Sequence, residues 1–160
     1  MSAPEPDHEA ITPAGLKALE AELDTLERDG RRTIAERILA AREDGDLKEN
    51  AEYHIAKDDQ AHLETKIKRL RERLKKAVVV ETDTKEATLS FGRTAEVLDE
   101  ASGTMYTWTI VGATEADLAN GKLSAESPVA DALLGHAPGA AVEVDTPGGP
   151  RKYRIQKLLP

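Results

Sequence analysis

Arg42-Glu43-Asp44-Gly45-Asp46-Leu47-Lys48-Glu49-Asn50-Ala51-Glu52-Tyr53-His54 decides how this chain is read, because it is a short polar stretch set between two long runs of helical period. Upstream, Thr12-Pro13 opens a helix: the threonine can cap free N–H groups, and the proline sits at the first position, where no donor is lost. Leu16, Leu19, Leu23 and Leu26 follow at the 3-4-3 spacing of a two-stranded seam. Asp29-Gly30 interrupts this arm, and Ile34, Ile38 and Ala41 beyond it are offset from the earlier frame, as in a stutter. Downstream, from about Asn50, the positions Ala56, Gln60, Leu63, Ile67, Leu70, Leu74 and Ala77 repeat the alternation. A connection as short as Asp44–Glu49 joins antiparallel neighbours. At 1.5 Å per residue each arm is about 40–45 Å long.

Past Lys76 the period changes. Val78–Val80, Thr94–Leu98, Tyr106–Val111, Ala141–Val144 and Tyr153–Leu158 are strand-like runs separated by Gly, Pro and Asp. Ser127-Pro128 opens a helix through Leu134, which Gly135 closes. The chain is therefore expected to be α+β with two domains: a disordered tail over 1–10, a coiled-coil hairpin over 11–77 with its acidic tip at 43–53, and a compact domain of antiparallel sheet and one helix over 78–160.

Composition fits a thin element beside a small domain. Charged residues make up 32% of the chain and aromatics 3%, which leaves few bulky side chains for a core. With no cysteine there is no disulfide and no thiolate chemistry. No signal-like start and no stretch of membrane-spanning length is present, so a soluble, cytoplasmic protein without membrane contact is expected. The net charge of −8 argues against independent binding to nucleic acid, since phosphate neutralisation supplies most such affinity. Basic residues are concentrated in the hairpin, without a cluster pure enough to be a nucleic-acid site.

Glu43, Asp44, Asp46, Glu49 and Glu52 crowd the turn with only Arg42 and Lys48 nearby. Packed carboxylates repel one another unless a cation relieves them, and hard oxygen ligands suit Mg²⁺, which takes one or two carboxylates plus water and phosphate oxygens. Asp46 and Glu49 are three residues apart, a spacing that puts two side chains on one side of a turn. Acids also favour any helix N-terminus, and spacing alone leaves that plainer account the commoner one. The four histidines are scattered, Ser127 lacks a nucleophile-elbow context, and Pro147-Gly148-Gly149-Pro150 suits a tight turn better than a phosphate loop.

The stretch Arg42–His54 resembles the hairpin-tip signature of the bacterial transcript-cleavage factors, the GreA/GreB family. Ile11-Thr12 and the leucine seam resemble that family's first arm. Ser127-Pro128, Ala132-Leu133-Leu134-Gly135, Pro147-Gly148-Gly149 and Tyr153-Arg154-Ile155 resemble its C-terminal FKBP-like domain. The resemblance implies a coiled coil that enters the secondary channel of RNA polymerase and stimulates cleavage of backtracked RNA. Asp46 and Glu49 would support a second Mg²⁺ in the polymerase's active site, an ion shared with the polymerase and not held by this chain alone. Asp44, Gly45, Leu47, Asn50, Glu52 and Tyr53 would shape the tip. Arg42 and Lys57 would contact the nascent RNA 3′ end. Ser127, Pro128, Leu134 and Gly135 would lie in the polymerase-docking domain. It further implies a monomer that is no enzyme itself and, given the acidic balance, is GreA-like. A channel-occupying inhibitor without cleavage activity is the alternative. Ile55, Gly30, His136 and Ala140 depart from the family's usual residues, and none of them touches the tip acids.

Overall fold

The computed structural model describes residues 8–43, 45 and 50–160. They fall into two compact units: Leu16–Ala77, and Val78–Pro160 together with the N-terminal segment through Gly15.

The first unit is the helical hairpin. Helix α1 (Pro13–Thr25) runs into a five-residue π turn (Leu26–Gly30) and continues as α2 (Arg31–Glu43); α3 (Ala51–Lys76) returns. The π turn explains the frame offset. From Leu26 a heptad frame would step to 30, 33, 37 and 40, whereas the apolar positions are Ile34, Ile38 and Ala41, one residue late. A turn of five residues absorbs one extra residue and returns the later positions to the seam. Ile38 and Ala41 are accordingly buried, along with Leu19 of α1 and Ala56, Ile67 and Leu70 of α3. Gly30 lies on this seam, where an added Cβ would sit 3.2 Å from a Leu63 methyl.

Ion pairs flank the seam. Arg31 forms a two-pronged bond to Glu64, at 2.8 and 2.9 Å, and Arg37 meets Asp59 at 2.9 Å, Arg71 meets Glu27 at 2.6 Å and Lys66 meets Glu22 at 3.5 Å. The hydrogen bond from Arg31 holds the Glu64 carboxyl below its ordinary range. Exposed pairs of this kind add little stability each but fix register by charge.

The second unit is built on a five-stranded sheet. Its strands are β3 (Thr94–Asp99), β4 (Met105–Val111), β5 (Lys122–Ser124), β6 (Ala141–Thr146) and β7 (Gly149–Leu159), in the order β5-β4-β3-β7-β6. All neighbours are antiparallel, as expected, except β4 and β5, which run parallel because the chain between them passes through the turns Ala113–Glu115 and Leu118–Asn120 instead of a hairpin, so the sheet is mixed at one edge. Helix α4 (Pro128–Leu133) contributes Ala130 and Leu133 to a core shared with Leu89, Val97, Trp108, Ile110 and Ile155. Strand β3 alternates strictly, with Ala95, Val97 and Asp99 turned inward.

Asp99 has no exposed surface. Burial pushes its carboxyl up, but the N–H groups of Ala101 and Ser102 and the Arg151 guanidinium, 2.9 Å away, outweigh that and hold it below the usual range.

Glu9–Ile11 form a strand, β1, where a disordered tail was expected through residue 10; residues 1–7 lie outside the described part. The strand pairs with β2 (Ala77–Val79), and the buried Ile11 accepts a hydrogen bond at its carbonyl from the Val80 N–H at 2.9 Å. Glu115 holds the end of this N-terminal segment within the sheet unit. Its carboxylate accepts from the Thr12 hydroxyl, from the Thr12 N–H at 3.1 Å and from the Gly112 N–H at 2.9 Å. Thr12 also caps α1, its hydroxyl accepting from the Gly15 N–H at 3.0 Å. A Cβ at Gly15 would run into the Glu115 carboxylate, so glycine is what lets that carboxylate hold its position.

Candidate functional site at the hairpin end

Helix α2 ends at Glu43 and α3 begins at Ala51, so the acid-rich turn is bounded on both sides by regular helix. Asp44, Asp46, Leu47 and Glu49, expected to carry or shape the site, lie outside the described residues. Gly45 is described and has φ of 128°, a backbone conformation that favours glycine, with open space where a Cβ would stand.

Asn50 links the two arms. Its backbone is extended, and its side-chain oxygen accepts from the Tyr53 N–H at 3.1 Å, which satisfies a free donor in the first turn of α3. Its side-chain amide donates to the Ala41 carbonyl at 2.5 Å, which lies in the last turn of α2. One asparagine thus starts the return helix and ties it to the end of the outgoing one. Asparagine suits both tasks because its side chain carries an acceptor and a donor; aspartate could do only the first.

Tyr53, half-buried in the first turn of α3, carries two ring contacts. The Arg42 guanidinium lies over its ring, 5.9 Å from the centroid, a distance suited to cation–π attraction, and the His54 ring meets it edge-on at 5.6 Å. Near this end of the arms Ala41 and Ala56 are almost completely buried. Small side chains let the arms approach closely just before the turn. Glu52 stays exposed in the first turn of α3, where a negative charge complements the helix dipole. Lys57 is exposed one turn further on, and its ammonium donates to the Gln60 side chain at 3.0 Å. Arg42, Asn50, Glu52, Tyr53 and Lys57 are therefore gathered at one end of the hairpin. Among the described residues no three His, Asp or Glu side chains come together as metal ligands.

The residues expected in docking stand together around α4, in the other unit. The Ser127 hydroxyl caps the helix by accepting from the Ala130 N–H at 3.2 Å and donates to the Ser124 carbonyl at 2.7 Å. Pro128 occupies the first turn and is exposed, and Leu134 closes the helix with its N–H on the Ala130 carbonyl. Gly135 has φ of 83° and donates its N–H to the Leu89 carbonyl at 2.8 Å. Each has a structural task, and Pro128 and Gly135 also present exposed surface. The anchoring acid Glu115 was missed by sequence reasoning. It lies in an ordinary Ala113–Glu115 turn, and its partner Thr12 is 103 residues away, so no local pattern marks it.

A two-unit protein that pairs an α-helical hairpin ending in an acidic turn with a small mixed-sheet domain is the class these features define. Residues 9–79 match the family model "Transcription elongation factor, N-terminal", and residues 84–160 match "Transcription elongation factor, GreA/GreB, C-term". The chain is 43% identical over 148 residues to Transcription elongation factor GreA of Jannaschia sp. (strain CCS1), covering 92% of this chain and 95% of that protein. It is 44% identical over 149 residues to the GreA of Bradyrhizobium sp. (strain BTAi1 / ATCC BAA-1182), covering 92% and 94%. With the GreA of Thioalkalivibrio sulfidiphilus (strain HL-EbGR7) the identity is 42% over 147 residues, covering 91% and 93%. The chain belongs to the GreA/GreB family of transcription elongation factors and is GreA-like. Among the described residues no helix is long and apolar enough to cross a membrane.

Proposed function

We propose that this elongation factor acts in the cytoplasm by inserting its hairpin into the secondary channel of RNA polymerase and stimulating Mg²⁺-dependent cleavage of backtracked nascent RNA. Asp46 and Glu49 bring carboxylate oxygens to the polymerase's active site, and the factor has no reaction centre of its own. The Asn50 link between the arms is the observation that carries this reading. It binds the last turn of α2 to the first turn of α3, which fixes both ends of the acid-bearing turn. Charge delivered into another protein's site is useful only if it arrives with little freedom left to lose.

A second Mg²⁺ in a two-ion site supplies charge stabilisation for the attacking and leaving oxygens of phosphodiester cleavage. This chain's residues hold and orient. Asp46 and Glu49 offer hard, anionic donors of the kind Mg²⁺ accepts beside water and phosphate. Arg42 and Lys57 place positive charge at the same end, suited to the displaced RNA 3′ segment. Arg42 resting on Tyr53 keeps that charge close to the turn.

The test uses halted, backtracked polymerase complexes with Mg²⁺, following the shortening of labelled RNA. Asp46→Asn and Glu49→Gln should each lower the cleavage rate about 10²-fold, the scale of removing one preorganised stabilising group, while still competing with wild type for polymerase. Wild-type protein that suppresses elongation without shortening any RNA would instead identify a channel-occupying inhibitor.

A further inference from the structure

The final third of α3 carries more positive charge than its cross-arm ion pairs or the cleavage role use. Between Lys66 and Lys76 there are seven Lys or Arg residues and a single acid, Glu72, in a chain whose net charge is −8. They separate into two flanks of the helix. On one flank lie Lys68, Arg71 and Lys75, of which Arg71 pairs with Glu27 across the hairpin. On the other, His62, Lys66, Arg69, Arg73 and Lys76 succeed one another at intervals of four, three, four and three, and all are exposed. At 100° per residue these five fall within a stripe about 80° wide and about 20 Å long.

Along this stripe the only acid paired is Glu22, 3.5 Å from Lys66; Arg69 and Arg73 have no ion-pair partner among the described residues. Favourable placement at a helix C-terminus accounts for Arg73, Lys75 and Lys76, but that effect fades within one turn and does not reach Lys66 or Arg69. His62, Thr65, Lys66, Arg69 and Arg73 line a groove of about 380 Å³ that also takes in Leu70 and Glu22.

We infer that this root-side stripe is a second docking surface, for an acidic surface patch on RNA polymerase; the inference rests on the function proposed above. The groove suits protein carboxylates better than a nucleic-acid strand. Its wall includes the aliphatic Leu70 and the acid Glu22, which a continuous polyanion would have to pass, whereas separate Asp or Glu side chains can meet Arg69 and Arg73 individually, in two-pronged fashion. Opposed charge also speeds encounter in a salt-dependent way.

The test measures binding of labelled full-length protein to core RNA polymerase at low and moderate salt. Arg69→Glu/Arg73→Glu should weaken binding at least about tenfold and flatten its salt dependence. Helix content by circular dichroism should be unchanged. The charge-matched Lys68→Glu/Lys75→Glu, on the far side of the same helix, should bind within about twofold of wild type, and Arg69→Lys/Arg73→Lys should recover only part of the loss, since an ammonium keeps the charge but cannot make the two-pronged bond. Equal binding by Arg69→Glu/Arg73→Glu and wild type overturns the docking surface and leaves the cleavage role standing. Equal weakening by both Glu pairs also overturns it, since net charge and not this face would then be at work. Wild type that fails to bind polymerase removes the cleavage reading and this inference together. A short single-stranded RNA that binds wild type but not the Arg69→Glu/Arg73→Glu protein, with polymerase affinity unaltered, overturns it in favour of nucleic acid.

Discussion

The sheet unit and the hairpin solve the same problem with different means. Of the seven largest fully buried side chains among the described residues, Leu89, Ile110, Leu133, Ile155, Val97 and Asp99 belong to the sheet unit and only Ile67 to the hairpin. The sheet unit encloses a core between α4 and the strands. The hairpin has two arms and therefore one seam, and it supplements that seam with small residues, cross-arm ion pairs and the Asn50 link. Thinness limits how much apolar surface such an element can bury.

The largest effect that could break this comparison is expected in the sheet unit. Leu133→Ala should cost about 4 kcal/mol, since it removes a wholly buried side chain from a surrounded site. Denaturant unfolding read by Trp108, the only tryptophan, would show it. If hairpin helicity is lost in the same transition, the two units are one cooperative body and the contrast fails. Ile67→Ala should cost less, about 2 kcal/mol, because the two-helix seam can close around the gap. Its loss should appear in the helical circular dichroism signal before Trp108 responds.

Asn50→Ala should cost about 1 kcal/mol as a lost helix cap, and amide exchange should rise through the first turn of α3 while the rest of that helix is unaffected. Asn50→Asp sharpens the point, since it keeps the cap and removes only the donor to Ala41. The weakest and most gradual effect is one of pH. Asp99 titrates below its ordinary value of 3.8 in the folded chain, so the stability it contributes is present above that value and lost as pH falls through the lower folded one. Asp99→Asn should therefore flatten the acid limb of sheet-unit stability, measured by thermal melts across that range.

Much of this contrast was legible in the residues. The leucine period, the polar turn and the alternating strands mark both units because each is a local repeat. The features that escaped reading depend on distance or brevity. Strand β5 is Lys122-Leu123-Ser124, one apolar residue between two polar ones, and it is a strand only because β4 lies alongside. Glu9–Ile11 looked like tail because its partner strand is nearly seventy residues away, at Ala77–Val79. At the candidate site Asn50 was visible as the start of a helix, but its bond to Ala41 was not, because that bond exists only once the arms have met. The one-residue offset after Gly30 was visible as a break in frame; that the backbone heals it with a π turn, and not by unwinding a longer stretch, is a matter of hydrogen bonding that spacing does not reveal.

That π turn bears on how such a protein can change over generations. In an unbroken pair of helices, gaining or losing a single residue in one arm would swing everything beyond it by about 100°, and so misdirect the distal end. A segment already wound five to the turn can give up one residue and become ordinary helix with the distal half still facing the same way. The outgoing arm can therefore lose that one residue without re-aiming its end.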